Sequence, residues 1–259
     1  MAKVNDLIKI MRGIAPEHLC WTKTPDNVGF TLGDASSPVT DVLITLDVSN
    51  QAVALAKKNK CQMIITHHPL IPAAIKNIRA DTVLGNKLMQ LINAGISVYS
   101  AHTNLDFVNG GLNEYAALAL GLTNLRPMEP YISETEGIGR IGELNQEMLC
   151  SQLAIKAAEV YNDNRARLLG CDKQVKTIAI INGGGGGDAG FVDLAKKMGA
   201  DCFVTGDIKL HVAIHAEDSG LPLIEVGHHH LEQIYIKHFA DILTNKIKQA
   251  GLKIAVHYN

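Results

Sequence analysis

Three short segments bring together side chains that could share a ligand. ITHHPL carries His67 and His68, AHTNLD carries His102 and Asp106, and GHHHLE carries His228 and Glu232. In the last two the acid stands four positions after the first histidine, and Leu105 occupies the place of Leu231. Imidazole nitrogen with carboxylate oxygen is a donor set that suits zinc, iron, manganese, cobalt or nickel. If a helix starts at about His228, then His228 and Glu232 lie one turn apart on one face, a chelating arrangement. His102 and Asp106 could do the same from a less regular segment. Successive side chains of an extended strand diverge, so His67 and His68 at a strand end would serve two neighbouring ions, about 3.5–4 Å apart if a carboxylate bridges them. His229 and His230 are expected to face solvent from the first turn of that helix. His18, His238 and His257 have no partner in this pattern.

The elements that must position these residues alternate between strand and helix. DVLITLDVS, a helix around QAVALAKKNK and CQMIITHH make one such unit; KTIAIIN, a glycine loop, a helix around FVDLAKKMGA and DCFVTGD make another. LAKKNKCQMIITHH aligns with LAKKMGADCFVTGD without a gap, pairing Leu55 with Leu194 and Thr66 with Thr205. AGISVYSAHTNLD and SGLPLIEVGHHHLE continue the correspondence, each ending in a histidine with an acid four residues on. This predicts an α/β protein of two similar domains related by internal duplication, with mainly parallel sheets covered by helices. The proline- and glycine-bearing stretch around 123 to 137 is the expected junction, giving domains 1–126 and 127–259, with the C-terminal helix able to pack on the first. Ligands of such folds collect at the carboxyl ends of strands. His67 and His68 follow MIIT, His102 follows ISVYSA, and His228 follows LPLIEVG.

Composition narrows the class of protein. With 259 residues, 47% of them hydrophobic, the chain can bury a large core. A net charge of −2 with dispersed Lys and Arg offers no basic stripe, so nucleic acid is not indicated as a partner. No run is long enough to span a bilayer, and MAKVNDLIKIMRGI has helical spacing and not a signal-peptide core. The five cysteines form no close pair and read as reduced thiols of a cytoplasmic protein.

Six motifs in order, PDNVGFTLGD, ITHHPL, SAHTNLD, GGGGGD, TGDIKLH and GHHHLE, resemble the Nif-three-like family, the YbgI-type dinuclear-metal-centre proteins. The resemblance covers nearly the whole chain, in the short form without the domain some relatives insert between the halves. It implies His67, His68, Asp106, His228 and Glu232 as ligands of two divalent ions per chain (zinc, iron, manganese or nickel), with a carboxylate bridging them. It implies that His102 lies beside the metals, orienting a ligand or moving a proton as the catalytic residue, and that subunits form a toroidal hexamer.

The glycine loop Gly183 to Asp188 follows a strand and precedes a helix, so its amides could cradle an anion. It lacks the ending of a Walker loop, and a tight turn for close packing explains it equally well. Gly185, Gly186, Asp207 and His211 are candidates for contacting substrate; Asp34 is as natural in a turn as in a site. Two functions follow. One is a metal-dependent hydrolase working in the cleft between domains on a nucleotide or other phosphorylated small molecule, since relatives are often labelled type-two homologues of GTP cyclohydrolase I. The other is a metal-handling or regulatory oligomer.

Overall fold

The computed structural model describes residues 1–22, 25–131 and 133–259. The chain begins with α1 (Val4–Ile14), β1 (Gly29–Leu32), β2 (Asp41–Thr45), α2 (Asn50–Lys58), β3 (Met63–Thr66), α3 (Val83–Asn93), β4 (Ser97–Ser100) and the short α4 (Thr103–Phe107). It continues through α5 (Leu112–Ala119), β5 (Leu122–Arg126), β6 (Glu129–Tyr131), β7 (Ser133–Ile138), β8 (Arg140–Leu149), α6 (Cys150–Val160), β9 (Arg167–Leu169) and β10 (Gln174–Ile180). The last elements are α7 (Ala189–Lys197), β11 (Cys202–Thr205), α8 (Leu210–Ser219), β12 (Leu223–Glu225), α9 (His228–Gln249) and β13 (Ala255–Tyr258).

Two compact units result: Met1–Leu105 with Ile236–Asn259, and Asp106–Tyr235. The division falls earlier than the expected boundary at 126, because α5 and β5 belong with the second sheet, where β5 pairs with β8. The expected junction is itself strand-forming: β6 and β7 pair as a small antiparallel sheet that places Pro130 opposite Gly137. The C-terminal helix from Ile236 onward joins the first unit, as does β13, which pairs in parallel with β2.

In the first unit the sheet order is β1-β4-β3-β2-β13, parallel except for β1. The second unit has the order β5-β8-β10-β11-β12-β9, in which only β10, β11 and β12 run parallel. The parallel core of each unit is the same strand-helix-strand-helix-strand run, β2 to β4 and β10 to β12. That shared order is consistent with the duplication read from LAKK and the strands after it. β3 and β11, with the sequences MIIT and CFVT, are buried at every position, as expected for strands covered on both faces. Two of the crossover helices start on side-chain caps: Ser49 accepts the amide of Ala52 for α2, and Asp188 that of Gly190 for α7. One apolar cluster including Leu43, Ile64 and Val98 packs the first unit; another including Ile180, Val204 and Leu231 packs the second.

No helix among the described residues is long and apolar enough to cross a membrane. All five cysteines are free thiols.

Candidate metal centre

The first unit gathers His67, His68 and His102 at the carboxyl ends of β3 and β4. One ligand nitrogen from each lies within 4.8 Å of the other two. The imidazole of His67 is 4.9 Å from that of His68 and 5.2 Å from that of His102, centroid to centroid. Each ring is turned by an oxygen acceptor at Nδ1. His67 donates to the carbonyl of Ala101 at 2.9 Å, His68 to Asp47 at 3.0 Å and His102 to Asp26 at 2.8 Å. Carbonyl and carboxylate oxygens only accept, so Nδ1 carries the hydrogen and Nε2 is the nitrogen turned toward a ligand, the orientation found for metal-binding histidines.

Asp26 is the better covered of the two carboxylates. Its carboxylate also accepts from the Thr103 hydroxyl at 2.5 Å. Burial pushes its pKa up, but the hydrogen bonds from His102 and Thr103 outweigh that and hold it below the usual carboxylate range. A charged Asp26 therefore stands behind His102.

In the second unit, α9 does start at His228, and the expected turn geometry is realised. Nε2 of His228 lies 3.0 Å from Oε1 of Glu232, four residues on. Nδ1 of His228 donates to Asp207 at 2.7 Å. Held between two carboxylates, the imidazole is pushed up to about 9, by the Glu232 hydrogen bond foremost, against burial and with help from Asp207. The raised value favours the cation near neutral pH, and a metal held at Nε2 would have to displace that proton. Asp207 reaches this position from the left-handed region, φ 53°, which aspartate tolerates better than most residues.

The glycine loop passes directly beside this pair. Gly183 has φ +63°, and a Cβ there would sit 2.6 Å from Oε1 of Glu232 and 3.1 Å from Nε2 of His228. Gly185 and Gly186 are buried. A Cβ on Gly185 would meet the Thr205 hydroxyl at 2.5 Å, and the Gly186 amide donates to the Gly206 carbonyl at 3.0 Å. Close packing thus accounts for both glycines proposed to touch substrate, and the Gly186 amide is already committed. His211 lies exposed at the second position of α8.

Asp106 sits in α4, and its surroundings tie it to the same loop. The Asn113 carboxamide donates to the Asp106 carbonyl at 3.1 Å and accepts the amide of Asn182 at 2.8 Å, one residue before Gly183. Beneath α4 lies Arg140, 1% exposed, whose guanidinium donates to the carbonyls of Val108 and Gly139 at 3.1 and 2.7 Å and pairs with Glu114 at 3.3 Å. Burial pulls its pKa down, while the charges of Glu114 and Asp106 support it.

Several of these residues lay outside the sequence pattern. Asp26 stands in PDNVG and Asp47 in LDVSN, at the end of β2, and an acid just after a strand could have been read as an orienting partner for a strand-end histidine. Asn113 and Arg140 carry no local signal for their longest-range contacts, since Asn182 and Glu114 lie 69 and 26 residues away. His229 is exposed as expected, whereas His230 is partly covered and points Nε2 toward Asp163 at 4.0 Å. His257, without a partner in the pattern, pairs with Asp41 at 2.9 Å and joins β13 to β2. Asp34 is a turn residue, accepting from the Ser36 amide at 2.8 Å.

Fold and residues together define a class: two-unit α/β proteins that present histidines and carboxylates at the ends of parallel strands. Residues 2–258 match the Duf34/NIF3 (NGG1p interacting factor 3) family, and the chain belongs to it. A Clostridium perfringens relative called "GTP cyclohydrolase 1 type 2 homolog" is 37% identical over 89% of this chain and 87% of its own. Among solved structures, a Bacillus cereus protein related to NIF3 superposes with TM-score 0.93 at 24% identity, covering 100% of this chain and 96% of that one. A Staphylococcus aureus hypothetical protein gives 0.91 at 28% identity, covering 99% and 96%.

Proposed function

We propose that the protein is a divalent-metal-dependent hydrolase holding two ions per chain through His67, His68, Asp106, His228 and Glu232. The observation that carries this reading is the orientation of the imidazoles. All four strand-end histidines, His102 included, give Nδ1 to an oxygen acceptor, and three of them bring their ligand nitrogens within 4.8 Å. Histidines serving only as helix caps or surface polar groups have no reason to share that orientation. The donor set, imidazole and carboxylate, fits zinc, iron, manganese or nickel.

Ions held there would supply Lewis acidity and lower the pKa of a bound water. The chain's own residues would do the rest. Glu232 contributes negative charge where cations are to be held, and Asp207 keeps His228 in position. His102, backed by the charged Asp26, exchanges a proton at Nε2, a role the buried carboxylate supports by stabilising the imidazolium. The relatives' name makes a nucleotide or other phosphorylated small molecule the first substrate class to try, with Asp207 and His211 near its path. The resemblance also supports a toroidal hexamer, which light scattering of purified protein tests.

Elemental analysis of untagged protein prepared without chelator should find about two divalent ions per chain; fewer than about half an ion after reloading with each candidate metal refutes the dinuclear reading. A turnover screen over nucleotides, phosphodiesters and amides, with the Asp106→Ala variant as control, separates hydrolase from metal carrier. Activity of the native chain no greater than that of the control, with metal fully loaded, would move the assignment to metal handling.

A further inference from the structure

A cavity of about 390 Å³ opens in the second unit immediately behind His228, lined by Asp163, Arg165, Arg167, Asp207, Glu225 and Gly227 among others. Its size suits a small ligand or part of one. Asp207 joins it to the candidate metal residues through the hydrogen bond to His228, and Gly227 precedes His228 in the chain.

Two of the three carboxylates of this cavity, Asp163 and Glu225, lie deeper than its guanidiniums. Asp163 is 2% exposed and is used by the backbone: it accepts the Gly227 amide at 2.7 Å and the Arg165 amide at 3.0 Å. Backbone hydrogen bonds from Gly227 and Arg165 outweigh its burial and hold it below the usual carboxylate range. Glu225 accepts the Ile208 amide at 3.2 Å through one oxygen and pairs with Arg167 at 2.7 Å through the other. Asp207, 62% exposed, stands at the rim and accepts from His228 through one oxygen. The guanidiniums lie at the rim, with the side chains of Arg165 and Arg167 78% and 65% exposed. Arg165 is only loosely held, its Nε 3.6 Å from Asp163. Each guanidinium has five N–H donors. Arg167 places Nε and one terminal nitrogen on Glu225, leaving its other terminal nitrogen to turn outward.

We propose that this cavity binds the phosphate group of a phosphomonoester, with Arg165 and Arg167 as the recognising cations. Planar guanidiniums pair with phosphate oxygens through parallel hydrogen bonds; Glu225 fixes Arg167 and Asp163 is committed to backbone amides, which leaves Arg165 free to turn toward the ligand. A phosphate held here leaves the rest of a small molecule to extend past Asp207 toward His228 and Glu232. That the ligand is a substrate rests on the hydrolase reading above; that the cavity binds phosphate does not.

Phenyl phosphate is a suitable probe, because it has one phosphate and chelates metals weakly. Calorimetric titration of the full chain, both metal-loaded and stripped with chelator, should give saturable binding in both states. Replacing both arginines, Arg165→Gln with Arg167→Gln, should raise Kd by about tenfold or more, the scale of losing charge-assisted hydrogen bonds. Arg165→Gln alone, at an exposed position that cannot unfold the chain, should raise it by a few-fold. Benzoate should bind much more weakly than phenyl phosphate. Absence of saturable binding at millimolar probe, unchanged affinity in the double variant, or equal affinity for benzoate would each overturn the proposal. Binding that occurs only in the metal-loaded chain overturns it too, since the phosphate would then sit on the ions. A chain that holds no metal but keeps arginine-dependent binding would sink the hydrolase reading and leave this one standing.

Discussion

The two units solve one problem with different materials. The first places three imidazoles at its strand ends and keeps its carboxylates, Asp26 and Asp47, behind them as acceptors. The second sets an imidazole against a carboxylate, His228 and Glu232, with Asp207 behind, and it also carries Asp106. The position after β3 is filled by two histidines; the matching position after β11 is filled by Gly206 and Asp207. There a Cβ on residue 206 would come within 2.7 Å of the Gly183 carbonyl and 3.0 Å of the His228 amide. In the second unit the glycine loop and the segment after β11 thus close tightly around the His228–Glu232 pair. That unit's glycines make room for a pair of opposite charge, whereas the first unit's three rings are each turned by an oxygen acceptor.

The largest effect should come from breaking the pair whose two donors already touch, at 3.0 Å. Glu232→Gln or His228→Ala takes away half of the second unit's front pair and should cost at least one ion per chain. His68→Ala leaves two imidazoles in its cluster and should weaken affinity while saturating metal restores the stoichiometry. Elemental analysis across a metal titration reads both. Full loading of both second-unit variants would mean that GHHHLE is structural, while His229→Ala and His230→Ala should lose little in either case.

His102 tests the other side of the comparison, since its ring is oriented like a ligand's but backed by a covered carboxylate. His102→Asn should lower turnover by about 10²-fold or more, the scale of a positioned acid or base, and retain most metal. Loss of metal in proportion to activity would instead make His102 a ligand.

Backbone fit can be separated from chemistry with two glycines of similar conformation. Gly95 in the first unit has φ +65° and open space around a would-be Cβ, while Gly183 has φ +63° and the Glu232 carboxylate at 2.6 Å. Gly95→Ala should cost about 1–2 kcal/mol for the left-handed backbone alone. Gly183→Ala should cost more and should also impair metal loading; equal melting temperatures for the two variants would contradict the close approach.

The smallest effect is a pH dependence confined to the second unit. His228 is raised from 6.5 to about 9 in the folded chain without metal. Its pairing therefore stabilises that state fully below pH about 6.5, and the contribution is lost as pH rises through about 9. Thermal melts of stripped protein should show the advantage of the native chain over Glu232→Gln shrinking across that window. A difference that stays constant from pH 6 to 10 would mean that the pair is not charged as described.

The residues themselves determined the strand-helix alternation, the strand-end placement of His67, His68, His102 and His228, and the turn that joins His228 to Glu232. These follow from periodicity and from spacing within one helical turn, which are properties of neighbouring residues. Where the units divide was decided by pairing: β5 hydrogen-bonds to β8 and β13 to β2, joining segments that local composition reads as linker or tail. Tertiary structure also decided which atom of each ring is offered, since Asp26 reaches His102 across 76 residues and Asp47 reaches His68 across 21. Hydrogen-bond direction depends on what the folded chain brings to the far side of a ring, and sequence spacing carries no record of that.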